Sequence, residues 1–261
     1  MRRSIFIAFR TVLTGTICCL LLVNAIHAAN ANPADRAREI VKIMDELFRS
    51  KSSIAKFEMK IITPNWERTL EIDAWTLGLE KSFFRIQAPL KEKGMSTLKV
   101  GNEIWNYLPK TDKVMKIPPS MMMGSWMGSD FTNDDLVKEY TYLNDYTFEM
   151  TTVDKPEPGI LYVKSTPKDG VPVVWGYVIT AVREKDFLPA WQKFYDEKKQ
   201  LMREMIFKDI RTFGKRTIPA VMELVPVNKP GQKTTVRYVD IQFDVNLDNS
   251  IFSLRHLQEK K

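Results

Sequence analysis

Hydrophobic positions change their spacing once along this chain. From Pro33 to Arg49 the apolar residues Ala37, Ile40, Val41, Met44, Leu47 and Phe48 recur every three or four positions, which gathers them on one stripe of a helix. Pro33 suits its first turn, and Arg49 and Lys51 suit the end where the helix dipole favours cations. Beyond Ser53 the spacing becomes two. Phe57, Met59 and Ile61 alternate with Glu58 and Lys60, and Leu70 and Ile72 with Glu71 and Asp73, the mark of antiparallel strands with one wet face. More strand windows follow at 81–87, 95–100, 103–108 and 113–117, with Gly101-Asn102 and Pro109 to Asp112 as turns. A second series occupies 145–153, 160–165, 173–184, 188–196, 200–211, 217–226 and 234–245, broken at Lys155 to Gly159, Lys168 to Gly170 and Lys229 to Gly231. The tail from Ile251 to His256 reads as a short helix or a strand. No repeat or biased linker divides the chain, so residues 32–261 are expected to form one domain. A sheet of about a dozen strands must curl, and then either close or be plugged. The first helix is an obvious plug.

Between the two series lies a stretch of different character, Ile117 to Tyr140. Pro118-Pro119 can neither donate to a sheet nor continue a helix. Met121, Met122, Met123, Trp126 and Met127 follow, spaced by Gly124 and Gly128. Methionine fills irregular apolar space and re-packs around varied partners. Such a segment also serves as core filler, but a plain core strand would not carry two glycines and lack a period of two. Thr132 with Asp135 three residues on reads as a capping box, with Asp134 and Asp135 in the first turn of a helix over about 133–139. An apolar loop tied to a capped helix suits a lid over a cavity.

Residues 1–31 read as a cleaved secretory signal: Arg2, Arg3 and Arg10 precede an uncharged apolar run from Thr11 to Ile26, and Ala29-Asn30-Ala31 offers a cleavage site. Both cysteines, Cys18 and Cys19, fall inside that run without the flanks of a lipidation site. The mature chain, about 230 residues, would then be held by its core alone, with no disulfide. Removing the signal lowers Lys+Arg from 39 to 36 against 32 Asp+Glu, so the formal net charge falls from +7 to +4. That mixed, mildly basic balance does not argue for nucleic acid. Export without an anchor points to the periplasm or the medium.

Catalytic chemistry is thinly represented. One histidine, His256, remains after the signal, and with no cysteine the usual zinc and redox-metal sites are almost excluded. No nucleophile elbow and no phosphate loop occur. Asp130, Asp134 and Asp135 could imitate a carboxylate site, but helix capping explains them better. No enzyme activity, cofactor or metal is therefore expected. What the sequence does supply is apolar surface. Trp75, Phe84, Trp105, Tyr107 and Trp175 fall in candidate strands, as core or as cavity wall. With Met121, Met122, Met123, Trp126, Met127 and Phe131 they form the expected ligand-binding set.

The order of these features, together with Gly128-Ser-Asp-Phe-Thr-Asn-Asp-Asp-Leu136, the hairpin Trp105-Asn-Tyr-Leu-Pro109 with Lys113-Val-Met-Lys-Ile117, and Leu188-Pro-Ala-Trp-Gln-Lys-Phe-Tyr195, resembles the outer-membrane lipoprotein-sorting proteins of the LolA-like superfamily. The branch it is most similar to is the one associated with RND-type exporters. The resemblance implies a mainly β fold, an incomplete antiparallel β-barrel of about 11–12 strands with a few helices plugging the open side. It also implies a periplasmic, monomeric carrier for a lipid or lipid-modified protein, with an inner-membrane RND-type transporter as a possible partner. A non-shuttling accessory that docks a lipidated protein or transporter is the alternative.

Overall fold

The computed structural model describes residues 32–259 apart from 49, 139–141 and 172. The expected signal with Cys18 and Cys19 lies outside the described residues. The chain opens with helix α1 (Pro33–Phe48), which buries Ala37, Ile40, Val41 and Met44, four members of the predicted stripe. Six antiparallel strands follow: β1 (Ser52–Ile62), β2 (Glu67–Leu77), β3 (Lys81–Ala88), β4 (Ser96–Val100), β5 (Glu103–Leu108) and β6 (Lys113–Lys116). After a crossing that contains α2 (Asn133–Lys138) and α3 (Tyr142–Asp145) come β7 (Tyr146–Thr151), β8 (Ile160–Pro167), β9 (Tyr177–Arg183), β10 (Pro189–Tyr195), β11 (Leu201–Phe213), β12 (Arg216–Pro226) and β13 (Lys233–Phe243). A 3-10 turn (Asn249–Phe252) and α4 (Leu254–Leu257) end the chain.

All thirteen strands share one antiparallel sheet in the order β6-β5-β4-β3-β2-β1-β13-β12-β11-β10-β9-β8-β7. Two meanders are thus joined through β1 and β13, and the sheet stays open. Its two free edges, β6 and β7, are consecutive in sequence. Residues 117–138 leave the β6 edge and run over the open side of the curled sheet, and the chain is described again from Tyr142 at the β7 edge.

Each face of the sheet is covered differently. Helix α1 packs its stripe on Tyr146, Phe148, Val163 and Val182 from β7, β8 and β9. At its other end the carbonyls of Glu46 and Leu47 accept hydrogen bonds from Arg216 on β12. β7 and β12 are five strand spacings apart in the sheet order, about 24 Å, and sixteen helical residues also span about 24 Å. The helix lies across that half of the sheet. On the opposite face, the chain end covers β2 to β6: Phe252 and Leu257 pack with Phe83, Leu98 and Tyr107. Arg85 is buried there, donating to Ser96 Oγ at 3.1 Å and to the His256 carbonyl at 2.7 Å.

The 173–184 strand expectation needs one correction. Strand β9 starts at Tyr177, leaving Val173 and Trp175 in the preceding loop. There the backbone of Gly176 lies so close to Asp196 that a Cβ on it would stand 2.4 Å from the Asp196 carbonyl oxygen. That contact holds the loop against the β10–β11 turn instead of letting it extend β9.

Candidate functional site

Residues 117–138 form a strap pinned to the sheet at successive points, and the pins follow the order of the strands. Trp126 comes first. Its indole is buried, stacks edge-on with Phe84 of β3 at 5.0 Å and donates to Thr97 Oγ1 of β4 at 3.1 Å. Next, Arg68 of β2 donates to the Met127 carbonyl at 2.5 Å and to Glu92 at 2.7 Å. Met127 and Gly128 turn with φ of +50° and +72°, and a Cβ on Gly128 would meet Arg68 Nη2 at 2.8 Å. The left-handed φ favours glycine at 128, and a side chain there would have to displace the end of Arg68. Asp130 then accepts from Thr234 Oγ1 of β13 at 2.8 Å and from Gln232 at 2.6 Å. Last, Asp135 accepts hydrogen bonds from the two terminal guanidinium nitrogens of Arg203 on β11, at 2.9 and 2.6 Å.

The capping box explains how Asp135 is aimed. Its Oδ2 accepts from the Thr132 N–H at 2.8 Å and the Thr132 hydroxyl at 2.9 Å, while Thr132 Oγ1 accepts from the Asp135 N–H at 3.2 Å. The sequence motif for starting α2 thus also fixes a carboxylate toward the sheet. Arg203 is almost fully buried, and its guanidinium lies over the rings of Trp175 and Phe194 at 4.5 and 4.4 Å. Burial raises the Asp135 carboxyl. The hydrogen bonds and charge of Arg203 and the bonds from Thr132 outweigh that and hold it below the usual carboxylate range. A depressed acid contributes stability above its unfolded pKa and loses it as pH falls through the folded one. Wild type and Asp135→Asn should therefore melt apart at neutral pH and converge on acidification below the usual carboxylate range, as read by thermal unfolding across pH.

Under the strap lies a cavity of about 440 Å³. Its walls come from α1, from β1, β2 and β3, and from β10 to β13. Phe84, Phe57 and Tyr238 form an aromatic band over β3, β1 and β13, with ring centres 6.4 and 6.1 Å apart. Met205, Phe207 and Met222 continue the apolar wall. Tyr142 supplies a polar atom, its phenol pushed up to about 12 chiefly by burial, with Ser165 and Thr180 partly offsetting. It stays a neutral hydroxyl. Among the described residues no cluster of histidine, cysteine, aspartate and glutamate could hold a metal ion.

Of the residues singled out from sequence, the structure brings Phe84, Trp126, Phe131 and Trp175 to this cavity. Trp75, Trp105 and Tyr107 stand elsewhere. They belong to the cluster on the opposite face beneath the chain end, because Trp75 pairs with Phe83 and alternates with the cavity-facing Ala74 and Thr76. Tyr107 donates from its hydroxyl to Asp112 at 2.7 Å. Met121 and Met123 are 57% and 49% exposed on the strap's outer side. Met122 is half-buried, its carbonyl accepting the Asp134 N–H, and Met127 packs on the core beside β1 and β2. Arg203 and Arg68 were not foreseen. Each interrupts an apolar strand face (Arg203 before Met205 and Phe207, Arg68 before Leu70 and Ile72), and a charge on such a face signals a buried partner.

A family model described as "-like: Uncharacterized protein" matches residues 78–259. No curated protein matches the chain. Similar solved structures include a domain assigned to outer membrane lipoprotein sorting from Vibrio parahaemolyticus, 20% identical, with 87% of this chain and 100% of that one covered at a TM-score of 0.74. A DUF1329 family protein from Desulfovibrio piger is also 20% identical, with the same 87% and 100% coverage and a TM-score of 0.75. A LolA superfamily protein from Nitrosomonas europaea is 19% identical, with 84% and 98% covered at 0.68. The fold is LolA-like.

Proposed function

The chain belongs to the family whose model, described as that of an uncharacterized protein, matches its residues 78–259, and we propose that it is a periplasmic carrier holding a lipid, or the acyl part of a lipid-modified protein, in its half-barrel. The observation that carries this reading is the cavity under the strap. Its volume of about 440 Å³ falls within the range typical of small-molecule pockets, roughly 300–1,000 Å³. Its wall is mainly aromatic and aliphatic, with a polar side formed by Asp45, Asp134, Asp135, Gln192 and Arg203. An acyl chain of about sixteen carbons gains roughly 12 kcal/mol from burial at about 0.8 kcal/mol per methylene. Ordering costs of several kcal/mol subtract from that, leaving enough to hold a lipid and little enough to release it when the strap moves. The acids near the strap support binding rather than hydrolysis, since Asp130 and Asp135 both serve as pins.

Filling the cavity is the direct test. Ala55 and Ala74 both line it and are buried in the wall. Ala74→Phe should lower lipid recovered by solvent extraction and native mass spectrometry by about tenfold, while Met121→Ser, on the outer side, should leave it unchanged. Wild-type protein that repeatedly comes out empty and takes up no fatty acid or phospholipid would overturn the reading. Recovery of a stable complex with an inner-membrane transporter, indifferent to cavity filling, would favour the non-shuttling accessory instead.

A further inference from the structure

Three hairpin tips stand side by side at one end of the sheet, and each exposes a large apolar residue. Trp66 in the β1–β2 turn is 47% exposed, Leu90 in the β3–β4 turn 87%, and Val227 in the β12–β13 turn 50%. The register places the tips together: Ile62 pairs with both Glu67 and Lys233, so the β1–β2 and β12–β13 turns leave the sheet at the same end. A Cβ on Gly231 would come within 3.4 Å of Pro64, which puts those two turns in contact. The Arg68–Glu92 ion pair, at 2.7 Å, ties the third turn to the start of β2. Six neighbouring strands thus project one row of apolar tips.

The exposed charge on the turns themselves is basic, while exposed Glu67, which follows Trp66, is paired with Lys60 at 3.1 Å, and Lys229 lies 3.9 Å from the covered Asp130. Lys91, Lys93 and Lys229 are exposed on these same turns. The acid among them, Glu92, is mostly covered and bonded to Arg68. Pro64-Asn65-Trp66 carries no charge at all. Exposed tryptophan and leucine flanked by lysines match the layered chemistry of a bilayer surface, where apolar tips enter the acyl boundary and ammonium groups meet anionic headgroups. A lone exposed leucine would need no explanation, but a contiguous set does.

We propose that this end of the sheet docks on an anionic lipid bilayer, with Trp66, Leu90 and Val227 inserted and Lys91, Lys93 and Lys229 on the headgroups. The docking edge adjoins the strap through Arg68, which bonds Glu92 in one tip and the Met127 carbonyl in the strap. It does not depend on the carrier reading, since docking here needs no lipid in the cavity. Vesicles of phosphatidylethanolamine and phosphatidylglycerol, about three to one, supply the probe, with protein purified as the cell matures it. The protein should co-sediment with them, and less so at high salt, which screens exposed charge. A Trp66→Glu, Leu90→Glu double variant should bind at least about tenfold more weakly, and Lys91→Glu, Lys93→Glu about tenfold more weakly. Both pairs are on exposed turns and should keep the wild-type melting curve and cavity lipid content. The proposal is overturned if wild type ignores the vesicles, if neither variant weakens binding, or if binding persists equally on vesicles without phosphatidylglycerol.

Discussion

Replacing Arg203 by leucine should destabilise the protein by about 3–5 kcal/mol, because it strands the Asp135 carboxylate in a buried site without its partner. Asp135 cannot easily turn to water: Thr132 holds it through both its N–H and its hydroxyl, and the capped helix keeps its direction. Arg203 for its part is wedged over Trp175 and Phe194, so the loss also removes stacking. A second substitution separates charge from packing. Arg203→Leu with Asp135→Leu removes both charges and should recover most of the loss, since an ion pair exchanged for apolar side chains is often near neutral. The residue of the effect, about 1 kcal/mol, is the lost cap. Urea unfolding of the four variants gives the coupling directly. Additive losses, with the double variant destabilised by the sum of the two single variants, would show that Asp135 is not held by Arg203.

Trp126→Ala should cost about 3–5 kcal/mol, the usual range for deleting a large buried aromatic, and its effect should be concentrated in the strap. The indole is the pin that joins the strap to β3 and β4 through Phe84 and Thr97. The backbone beside it closes on itself, with the Trp126 N–H donating to the Phe131 carbonyl at 2.7 Å. Without the indole, amides between Met122 and Asp135 should exchange early, and a protease should cut there before it cuts the strands. Met121→Ala and Met123→Ala should stay within about 0.5 kcal/mol of wild type, as exposed substitutions do. If all three variants behaved alike, the strap would not be pinned by Trp126.

These two experiments concern contacts that no local pattern in the chain announces. The capping box between Thr132 and Asp135 is visible in the sequence and forms as expected, yet its second use, presenting Asp135 to Arg203, joins residues 68 positions apart. The same holds for Asp130 and Thr234, separated by 104. Alternation in β2 separates Leu70 and Ile72 from Glu71 and Asp73, but it cannot say which face is the cavity. That is why Trp75, Trp105 and Tyr107 read as wall and stand on the far side. The deciding cover there is the 3-10 turn and α4, which place Phe252 and Leu257 over Phe83, Leu98 and Tyr107.

Periodicity therefore determined the elements: a one-sided helix, strands of period two, turns at the glycines and prolines, and a break in pattern from Ile117 onward. Those are local consequences of side-chain spacing and backbone restriction, which a sequence carries residue by residue. Only the tertiary structure decided that β1 pairs with β13, that β6 and β7 become opposite edges, and that the strap crosses the opening between them. Pairing and curvature are set by the sum of many distant contacts, each too weak and too unspecific to be read from any one segment. Which side of an alternating strand becomes hollow follows from what the chain end and the first helix cover, and that is settled only once all thirteen strands are in place.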